Sequence, residues 1–381
     1  MRIPVARPLL APMDSLRPYL LEIDAARTYS NFGPLARRFE QRLCDHFSVP
    51  TGAVVSVANA TVGLTAALTE LRRDGKKFCV MPAWTFCATG HAAVMAGLQP
   101  YFVDVDPATW QITPAIVSAL PSDVIEDTAA VMVVGAFGAP VDGHAWDVFT
   151  AITGIPAVID AAAGFDSLAA SSTVSVVSLH ATKALGIGEG GFVLANNAEL
   201  GAAIRRRVSF GFANARTAMV PGTNAKLSEY ACAVGLASLD HWDEARRQWG
   251  ALRDLYWNEL CASSNWQRVG PAPVWVSSTF VVMTGSDHER VSADLQSRDI
   301  DSRCWWERGC HLQPAFAGFA ATLVPVTERL AAHSIGLPFY PDMTKDDVNR
   351  VLEVVIPHLD YHAFGSYALY PAGDAISGVR P

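Results

Sequence analysis

Short apolar runs alternate with helical patterns through roughly the first 240 residues of the chain. Several runs are apolar without a break, which is typical of strands that are covered on both faces. Amphipathic patterns between them predict helices, among others at Val62–Arg73, Ala88–Ala96 and Asp142–Thr153. The runs predict strands at Val54–Val57, Phe78–Met81, Tyr101–Val105, Ala130–Val134, Ala157–Asp160, Val174–Leu179 and Phe192–Leu194.

This alternation favours right-handed crossovers and a mostly parallel sheet of about seven strands covered by helices, so the predicted fold class is α/β. The pattern changes after residue 242: Asp243–Leu260 predicts a long helix, Trp275–Met283 a β-rich run, and His288–Ser297 and Lys345–Ile356 two more helices. Thr344 is the expected N-cap of the last helix. We therefore predict a large domain over residues 1–242, a smaller α+β domain over 243–360, and a loosely attached tail over 361–381.

Composition limits the possible functions. The chain has 381 residues, of which 50% are hydrophobic and 17% charged, and this balance favours a large core divided between two domains. The net charge of −8 disfavours a nucleic-acid-binding surface. The seven cysteines are scattered without a C-x-x-C pair, so neither a disulfide framework nor a zinc site is indicated. Together with the lack of a membrane-length apolar run or a signal-peptide core, this predicts a cytoplasmic protein without a metal.

Lys183 lies between an apolar strand and the glycine-rich turn Gly186–Gly191. Open α/β sheets bind ligands at the edge where the strands end, so this amine is expected there. Lysine at such a place can form a Schiff base with pyridoxal phosphate or another carbonyl compound. Most lysines are solvated surface charges, however, and this stretch alone leaves that possibility open.

Asp160 ends the apolar strand Pro156–Asp160 and is followed by three alanines and a glycine. A carboxylate at the end of a buried strand is costly unless it meets a partner, and a protonated pyridine nitrogen is one such partner. A cap on the next turn is the alternative. A metal ligand is a weak alternative, because the sequence offers no nearby cluster of histidines or carboxylates.

Three further elements are candidates for holding a flat, phosphorylated cofactor. Asn59-Ala60-Thr61 stands between a strand and a helix, where free N–H groups can bind phosphate, although Asn59 or Thr61 can equally be a helix cap. Ser178, five residues before Lys183, can donate to the phosphate or bond its own backbone. Phe86 can stack on a planar ring, with Trp84 as the competing aromatic residue.

These motifs occur together in an order that resembles one family. They are Asn59-Ala-Thr61, Pro82…Thr85-Phe86, Phe102-Val-Asp104-Val-Asp106, Asp160-Ala-Ala162, Ser178…Lys183…Gly188-Glu-Gly-Gly191 and Asn224-Ala-Lys-Leu-Ser228. The chain resembles the DegT-type sugar-nucleotide aminotransferases, a branch of the fold type I pyridoxal-phosphate enzymes. The likeness runs from about Ser30 to about residue 356 and covers both predicted domains.

The resemblance implies a role for each matching residue. Lys183 is the lysine that forms the internal aldimine with pyridoxal 5'-phosphate, and Asp160 is the partner of the pyridine nitrogen. Ala60, Thr61 and Ser178 hold the phosphate, and Phe86 lies on the ring face. Asn224 reaches the phosphate of the other subunit, which implies a homodimer with shared sites. Asn31, Arg303, Trp305 and His311 match regions that line the sugar-nucleotide pocket, although Trp305, Trp306 and His311 can equally serve packing.

Two positions depart from the family pattern. Ala163 stands where the family usually has Gln or His, near the phenol oxygen of the cofactor. The family's Asn-Tyr-Arg is Asn224-Ala225-Lys226 here, which keeps a basic residue but changes its reach.

The resemblance implies ping-pong transfer of an amino group, by likeness from glutamate, to the keto group of a nucleotide-linked deoxysugar. Two other functions remain open. Arg303 is available to clamp a substrate carboxylate, as in an aminotransferase or lyase for small amino or keto acids. A non-catalytic, regulatory protein is the third reading, which the presence of Lys183 and Asp160 disfavours.

Overall fold

The computed structural model describes residues 2–213, 215–263 and 273–359. The predicted tail over 361–381 lies outside these residues. The strands of the described part are β1 Val54–Val57, β2 Phe78–Pro82, β3 Gln99–Val103, β4 Thr128–Val134, β5 Ala157–Asp160, β6 Val174–Ser178, β7 Gly191–Leu194, β8 Phe280–Met283, β9 Ala320–Ala321 and β10 Ser334–Leu337. The α-helices are α1 Met13–Ala26, α2 Pro34–His46, α3 Ala60–Leu71, α4 Cys87–Met95, α5 Pro114–Ser118, α6 Ser122–Glu126, α7 Gly143–Thr153, α8 Ala198–Arg207, α9 Glu229–Asp240, α10 Trp242–Ala262, α11 His288–Gln296, α12 Pro325–His333 and α13 Lys345–Val355.

Eight strands form the main sheet in the order β1-β7-β6-β5-β4-β2-β3-β9. All neighbours pair in parallel except β7, which runs antiparallel to β1 and β6. The prediction of a mostly parallel α/β sheet is confirmed, and each of the seven predicted strands is present. The eighth strand, β9, is only two residues long, which is too short for a pattern to reveal.

Both faces of this sheet are buried. Val54 and Val80 belong to a core that also contains Phe39 of α2, whereas Val55 and Met81 face a second core with Leu64 of α3. Successive residues of a strand point to opposite faces, so each strand contributes to both cores. This explains why the strand sequences are apolar without alternation.

The C-terminal part contains the antiparallel pair β8–β10, together with helices α10 to α13. Thr344 caps α13 as predicted, and a reciprocal hydrogen bond from its own N–H to Asp347 completes a capping box. The β-rich run predicted from Trp275 is a strand only from Phe280 onward. Its first half instead docks on loops of the main sheet, where the Val276 N–H donates to Asp166.

The domain boundary stays a prediction. Helix α10 begins at Trp242, the residue at which we place the end of the large domain. Strand β9, from the predicted smaller domain, nevertheless pairs with β3 of the main sheet, at Tyr101↔Ala320 and Phe102↔Ala321. No helix of the described residues is long and apolar enough to cross a membrane.

Candidate active site

Lys183 lies on the loop between β6 and β7, at the edge where the parallel strands end. Main-chain hydrogen bonds across this loop join Ala181 to Gly188 at 2.8 Å and Leu179 to Gly190 at 2.9 Å. Gly188 has a φ of 99°, in the region that favours glycine. The loop therefore closes on itself and fixes the backbone on which the lysine stands.

Two helices hold the residues that follow the lysine. The Trp249 indole N–H donates to the Ala184 carbonyl at 3.2 Å, and the Ser238 hydroxyl donates to the Gly186 carbonyl at 3.1 Å. These donors belong to α10 and α9. The loop is consequently anchored from outside as well as by its own hydrogen bonds.

The Lys183 amine is partly buried, and no hydrogen bond of the described residues involves it. Burial lowers the pKa of Lys183, because the charged form loses hydration, while the nearby Asp160 carboxylate acts in the opposite direction. The first effect is the larger, so a larger share of this amine is neutral and nucleophilic than in an exposed lysine.

Asp160 is the last residue of β5 and is 6% exposed. Burial raises the pKa of Asp160, whereas hydrogen bonds from the Thr89 hydroxyl at 2.8 Å and the Ala162 N–H at 3.2 Å, and the charge of Lys183, oppose that rise. The structure thus brings the two predicted catalytic residues, 160 and 183, close enough for their charges to interact.

Thr85 and Thr89 complete this part of the site. Both are buried, and their hydroxyl oxygens lie 2.7 Å apart, so a hydrogen-bonded chain runs from Thr85 through Thr89 to Asp160. Sequence reasoning included Thr85 in a motif but assigned a role to neither residue. Thr85 lies before the N-cap of α4 and Thr89 in its first turn, so no helical spacing in the sequence signals their contact.

The start of α3 meets the same edge. Asn59 is the N-cap, and its side chain accepts from the Val62 N–H at 3.0 Å, which leaves the Ala60 and Thr61 N–H groups outside the helical ladder. A β-carbon on Gly191 would lie 2.9 Å from the Ala60 nitrogen. Glycine there allows the strand to lie close to the start of the helix. In the sheet, Gly191 pairs with Ser178, so the three predicted phosphate residues converge.

The two aromatic candidates for a ring contact differ in exposure. Phe86, the N-cap of α4, is 56% exposed and available to a ligand. Trp84 is fully buried, 5.0 Å from the Trp306 ring and 6.2 Å from the Phe137 ring. The structure therefore favours Phe86 as the ring contact.

Arg303, Trp305 and His311 belong to one segment that docks against the loop before Phe86. The Cys310 N–H donates to the Ala83 carbonyl at 2.8 Å. Within the described residues, the Trp305 indole nitrogen and the His311 Nδ1 are buried without a hydrogen-bond partner. The Arg303 guanidinium lies 5.2 Å from the Trp305 ring centroid, and the Arg303 residue itself is exposed.

Asn31 lies on the turn before α2, with φ of 65°, and the next residue, Phe32, has φ of 53°. Both are in the left-handed region, which costs free energy for residues other than glycine. The Arg205 guanidinium packs 4.3 Å from the Phe32 ring centroid, and Arg37 donates to the Phe32 carbonyl at 2.7 Å. Arg37 of α2 and Arg205 of α8 therefore both contact this turn.

Asn224 is exposed and its side chain accepts a hydrogen bond from Lys226. Lys226 pairs through its backbone with Val57, so this segment flanks the outer edge of β1. Asn224 is thus placed at the surface of the subunit.

Ala163 lies under the loop that follows β4, since a β-carbon on Gly138 would be 2.6 Å from the Ala163 carbonyl oxygen.

Residues 14–356 match the profile of the DegT/DnrJ/EryC1/StrS aminotransferase family. The chain belongs to this family. Its matching part begins in α1 and ends just after α13, so it includes every element of the site described above. This match confirms the family resemblance inferred from the sequence motifs.

Relatives and solved structures of similar length agree with this membership. The chain is 31% identical over 370 residues to dTDP-4-amino-4,6-dideoxy-D-glucose transaminase of Shigella dysenteriae, covering 92% of this chain and 97% of the relative. A structure of a proposed PLP-dependent aminotransferase from Bacillus cereus ATCC 10987 superposes with a TM-score of 0.87 at 30% identity, covering 93% and 99% of the two chains. DesI in the presence of its TDP-sugar product gives 0.81 at 31% identity, covering 93% and 92%.

Proposed function

We propose that this DegT/DnrJ/EryC1/StrS family member uses pyridoxal 5'-phosphate to transfer an amino group to the keto group of a nucleotide-linked deoxysugar. One observation carries the proposal. At the edge of the sheet, the partly buried Lys183 amine lies close enough to the buried Asp160 carboxylate for their charges to interact, and no hydrogen bond of the described residues involves that amine. This pair supports the roles that the family likeness implies for both residues.

The residues present fit this cofactor. Gly191 lets β7 lie close to the start of α3, and the first N–H groups of α3 suit a phosphate dianion at the positive end of the helix dipole. Asp160 supplies the negative charge that a protonated pyridine ring needs. Phe86, which is 56% exposed, supplies an aromatic face.

Each of these residues has a distinct task in the proposed reaction. When bound, the cofactor supplies an electron sink that lowers the energy of a carbanion next to nitrogen. Ala60, Thr61 and Ser178 hold the phosphate group. Lys183 would hold the cofactor's aldehyde group, and as a free amine it would act as the general base that moves the proton of the donor's α-carbon.

The same site supports a proposal for the substrate. The Shigella relative is named for a dTDP-sugar amine at carbon 4, and the DesI structure contains a TDP-sugar product. We infer a thymidine-diphosphate-linked 4-keto-6-deoxy sugar as the acceptor and, by family likeness, glutamate as the donor. The exposed Arg303 and the residues Trp305, His311 and Asn31 are the candidate sugar-nucleotide contacts.

Covalent trapping tests the proposal. Purified protein incubated with pyridoxal 5'-phosphate and reduced with borohydride is expected to carry the cofactor on the peptide that contains Lys183. Lys183→Ala removes the label and the cofactor's absorbance band, whereas Lys77→Ala, at an exposed lysine, leaves both unchanged. Label at another residue, or none, contradicts the proposed chemistry.

The acceptor is tested separately by half-reactions. The aminated form of the cofactor is generated on the protein and mixed with keto sugars linked to thymidine, uridine, guanosine or cytidine diphosphate, or with small keto acids. Rapid return of the aldehyde absorbance with the thymidine-linked sugar is the expected result. A faster return with a small keto acid than with any nucleotide sugar overturns the substrate assignment and favours an amino-acid aminotransferase.

A further inference from the structure

The hydrogen-bonded chain from Thr85 through Thr89 to Asp160 is fully removed from water. Thr85 is 2% exposed, Thr89 0% and Asp160 6%. Thr89 lies in the first turn of α4, the helix that follows β2. In the sheet, β4 lies between β2 and β5, so the hydrogen bond from the Thr89 hydroxyl to Asp160 joins two elements that are not neighbours in the sheet. The other carboxylate oxygen of Asp160 accepts a hydrogen bond from the Ala162 N–H.

The protons in this chain have a definite order when Asp160 is ionised. A carboxylate only accepts, so the Thr89 hydroxyl donates its single proton to Asp160. Thr89 must then accept from the Thr85 hydroxyl, 2.7 Å away. Every hydroxyl proton of the chain has an acceptor in this arrangement.

Protonation of Asp160 would weaken this arrangement, because a charged oxygen accepts the Thr89 proton more strongly than a neutral one. A proton on the oxygen that faces Thr89 would also reverse the order. That proton would be donated to Thr89, Thr89 would donate to Thr85, and the Thr85 proton would need a new acceptor. Within the described part of the chain, Thr85 has no hydrogen-bond partner for its hydroxyl other than Thr89. A buried donor without an acceptor is destabilising, so the order of the chain favours the charged carboxylate.

We propose that Thr89, oriented by Thr85, is a positioning residue that keeps Asp160 ionised and its free oxygen lone pairs directed at the ligand's protonated ring nitrogen. The inference rests on the proposed function, because it assigns a task to Asp160 toward that ligand. When protonated, Lys183 is the charged group of the described chain whose field acts on Asp160, and in that state it stabilises the same ionised form.

The test uses Thr89→Val, which keeps the shape and removes the donor, with Thr89→Ser as the conservative rescue. We expect the dissociation constant of pyridoxal 5'-phosphate to rise about 10- to 100-fold in the Val variant, as for loss of a hydrogen bond to a charged group. The Ser variant is expected to bind within about threefold of the wild type. Thr85→Val is expected to have a smaller effect than Thr89→Val, because Thr89 can still donate.

A purely structural role would not change the ligand's protonation, so that is the second measurement. With cofactor labelled by nitrogen-15 in the ring, NMR is expected to show that the ring nitrogen of the Val variant loses its proton at least about one pH unit below the wild type. An unchanged titration in the Val variant overturns the inference, as does a larger effect of Thr85→Val.

The proposed function and this inference fail in different ways. If wild-type protein gives no borohydride adduct at Lys183, the proposed function fails. If the adduct forms normally while Thr89→Val titrates as the wild type does, only the inference fails. Should Thr89→Val not fold, as judged by circular dichroism, Thr89→Ala is compared with Thr89→Ser by the same nitrogen-15 measurement and the same criteria.

Discussion

Lys183 and Asp160 carry opposite charges in their ordinary states, yet at the edge of the sheet the fold buries Asp160 and partly buries Lys183. Burial lowers the pKa of the amine and raises the pKa of the carboxyl, and their mutual attraction opposes both changes. A covalent catalyst needs the amine neutral, and a pyridinium partner needs the carboxylate charged. The hydrogen bonds that Asp160 accepts favour its charged form. Within the described residues no hydrogen bond involves the Lys183 amine, so none opposes the effect of burial on it.

The pKa of Lys183 leads to a prediction in the protein without cofactor. Because burial lowers that pKa, the neutral amine is present at lower pH than in an ordinary lysine. Lys345 is the internal control, since its ion pair with Glu259 at 2.7 Å raises its pKa. In competitive acetylation followed by mass spectrometry, Lys183 is expected to reach half-maximal reactivity at a lower pH than Lys345. The reverse order would mean that attraction to Asp160 outweighs burial.

At the scale of elements, a buried carboxylate fixes the beginning of α2. Glu229, the first residue of α9, is 1% exposed and accepts from the Leu35 N–H at 2.8 Å and the Ala36 N–H at 2.9 Å. A β-carbon on Gly33 would lie 2.7 Å from the Glu229 carboxyl carbon, so glycine allows this approach. The turn that contains Asn31 is thereby tied to α9.

Glu229→Ala is expected to destabilise the protein by about 1–3 kcal/mol, because two buried N–H groups lose their charged acceptor. Thermal unfolding followed by circular dichroism measures this loss. Glu353→Ala, which removes an exposed carboxylate 3.8 Å from Arg298, is the control and is expected to change stability by less than about 0.5 kcal/mol. Equal effects of the two substitutions would show that Glu229 does not brace the helix start.

For the whole molecule, the surface position of Asn224 is the feature that bears on assembly. Its side chain is exposed, its hydrogen bond comes from Lys226, and its segment flanks the outer strand of the sheet. The family likeness places such an asparagine at the phosphate of another subunit. We therefore expect that the catalytic unit is a homodimer in which each site takes Asn224 from the partner.

Complementation between two inactive variants tests this expectation. Lys183→Ala and Asn224→Ala subunits are unfolded together, refolded with cofactor and assayed. If Asn224 acts across the interface, random pairing restores about a quarter of the wild-type activity, because each mixed dimer has one intact site. Each variant refolded alone is the control and stays inactive. A mixture no more active than its parts would place Asn224 in its own subunit's site or outside the site.

The sequence by itself determined the main sheet and the family. Unbroken apolar runs such as Val54–Val57 and Ala157–Asp160 predict strands buried on both faces, and the structure confirms them. The order of the motifs around Lys183 and Asp160 identifies the family, which the match over residues 14–356 confirms. Local patterns carry this information because strand burial and helix starts depend on neighbouring residues.

Only the tertiary structure decided which distant residues meet. Thr89 and Asp160 are 71 positions apart, and Glu229 and Leu35 are 194 apart, so no local pattern predicts either hydrogen bond. The two residues of β9 form a strand because β3 offers a free edge, and Trp275–Ser278 leave the extended run because Asp166 and Phe137 accept their hydrogen bonds. Such contacts arise from the packing of whole elements, which outweighs the conformational preference of a short segment.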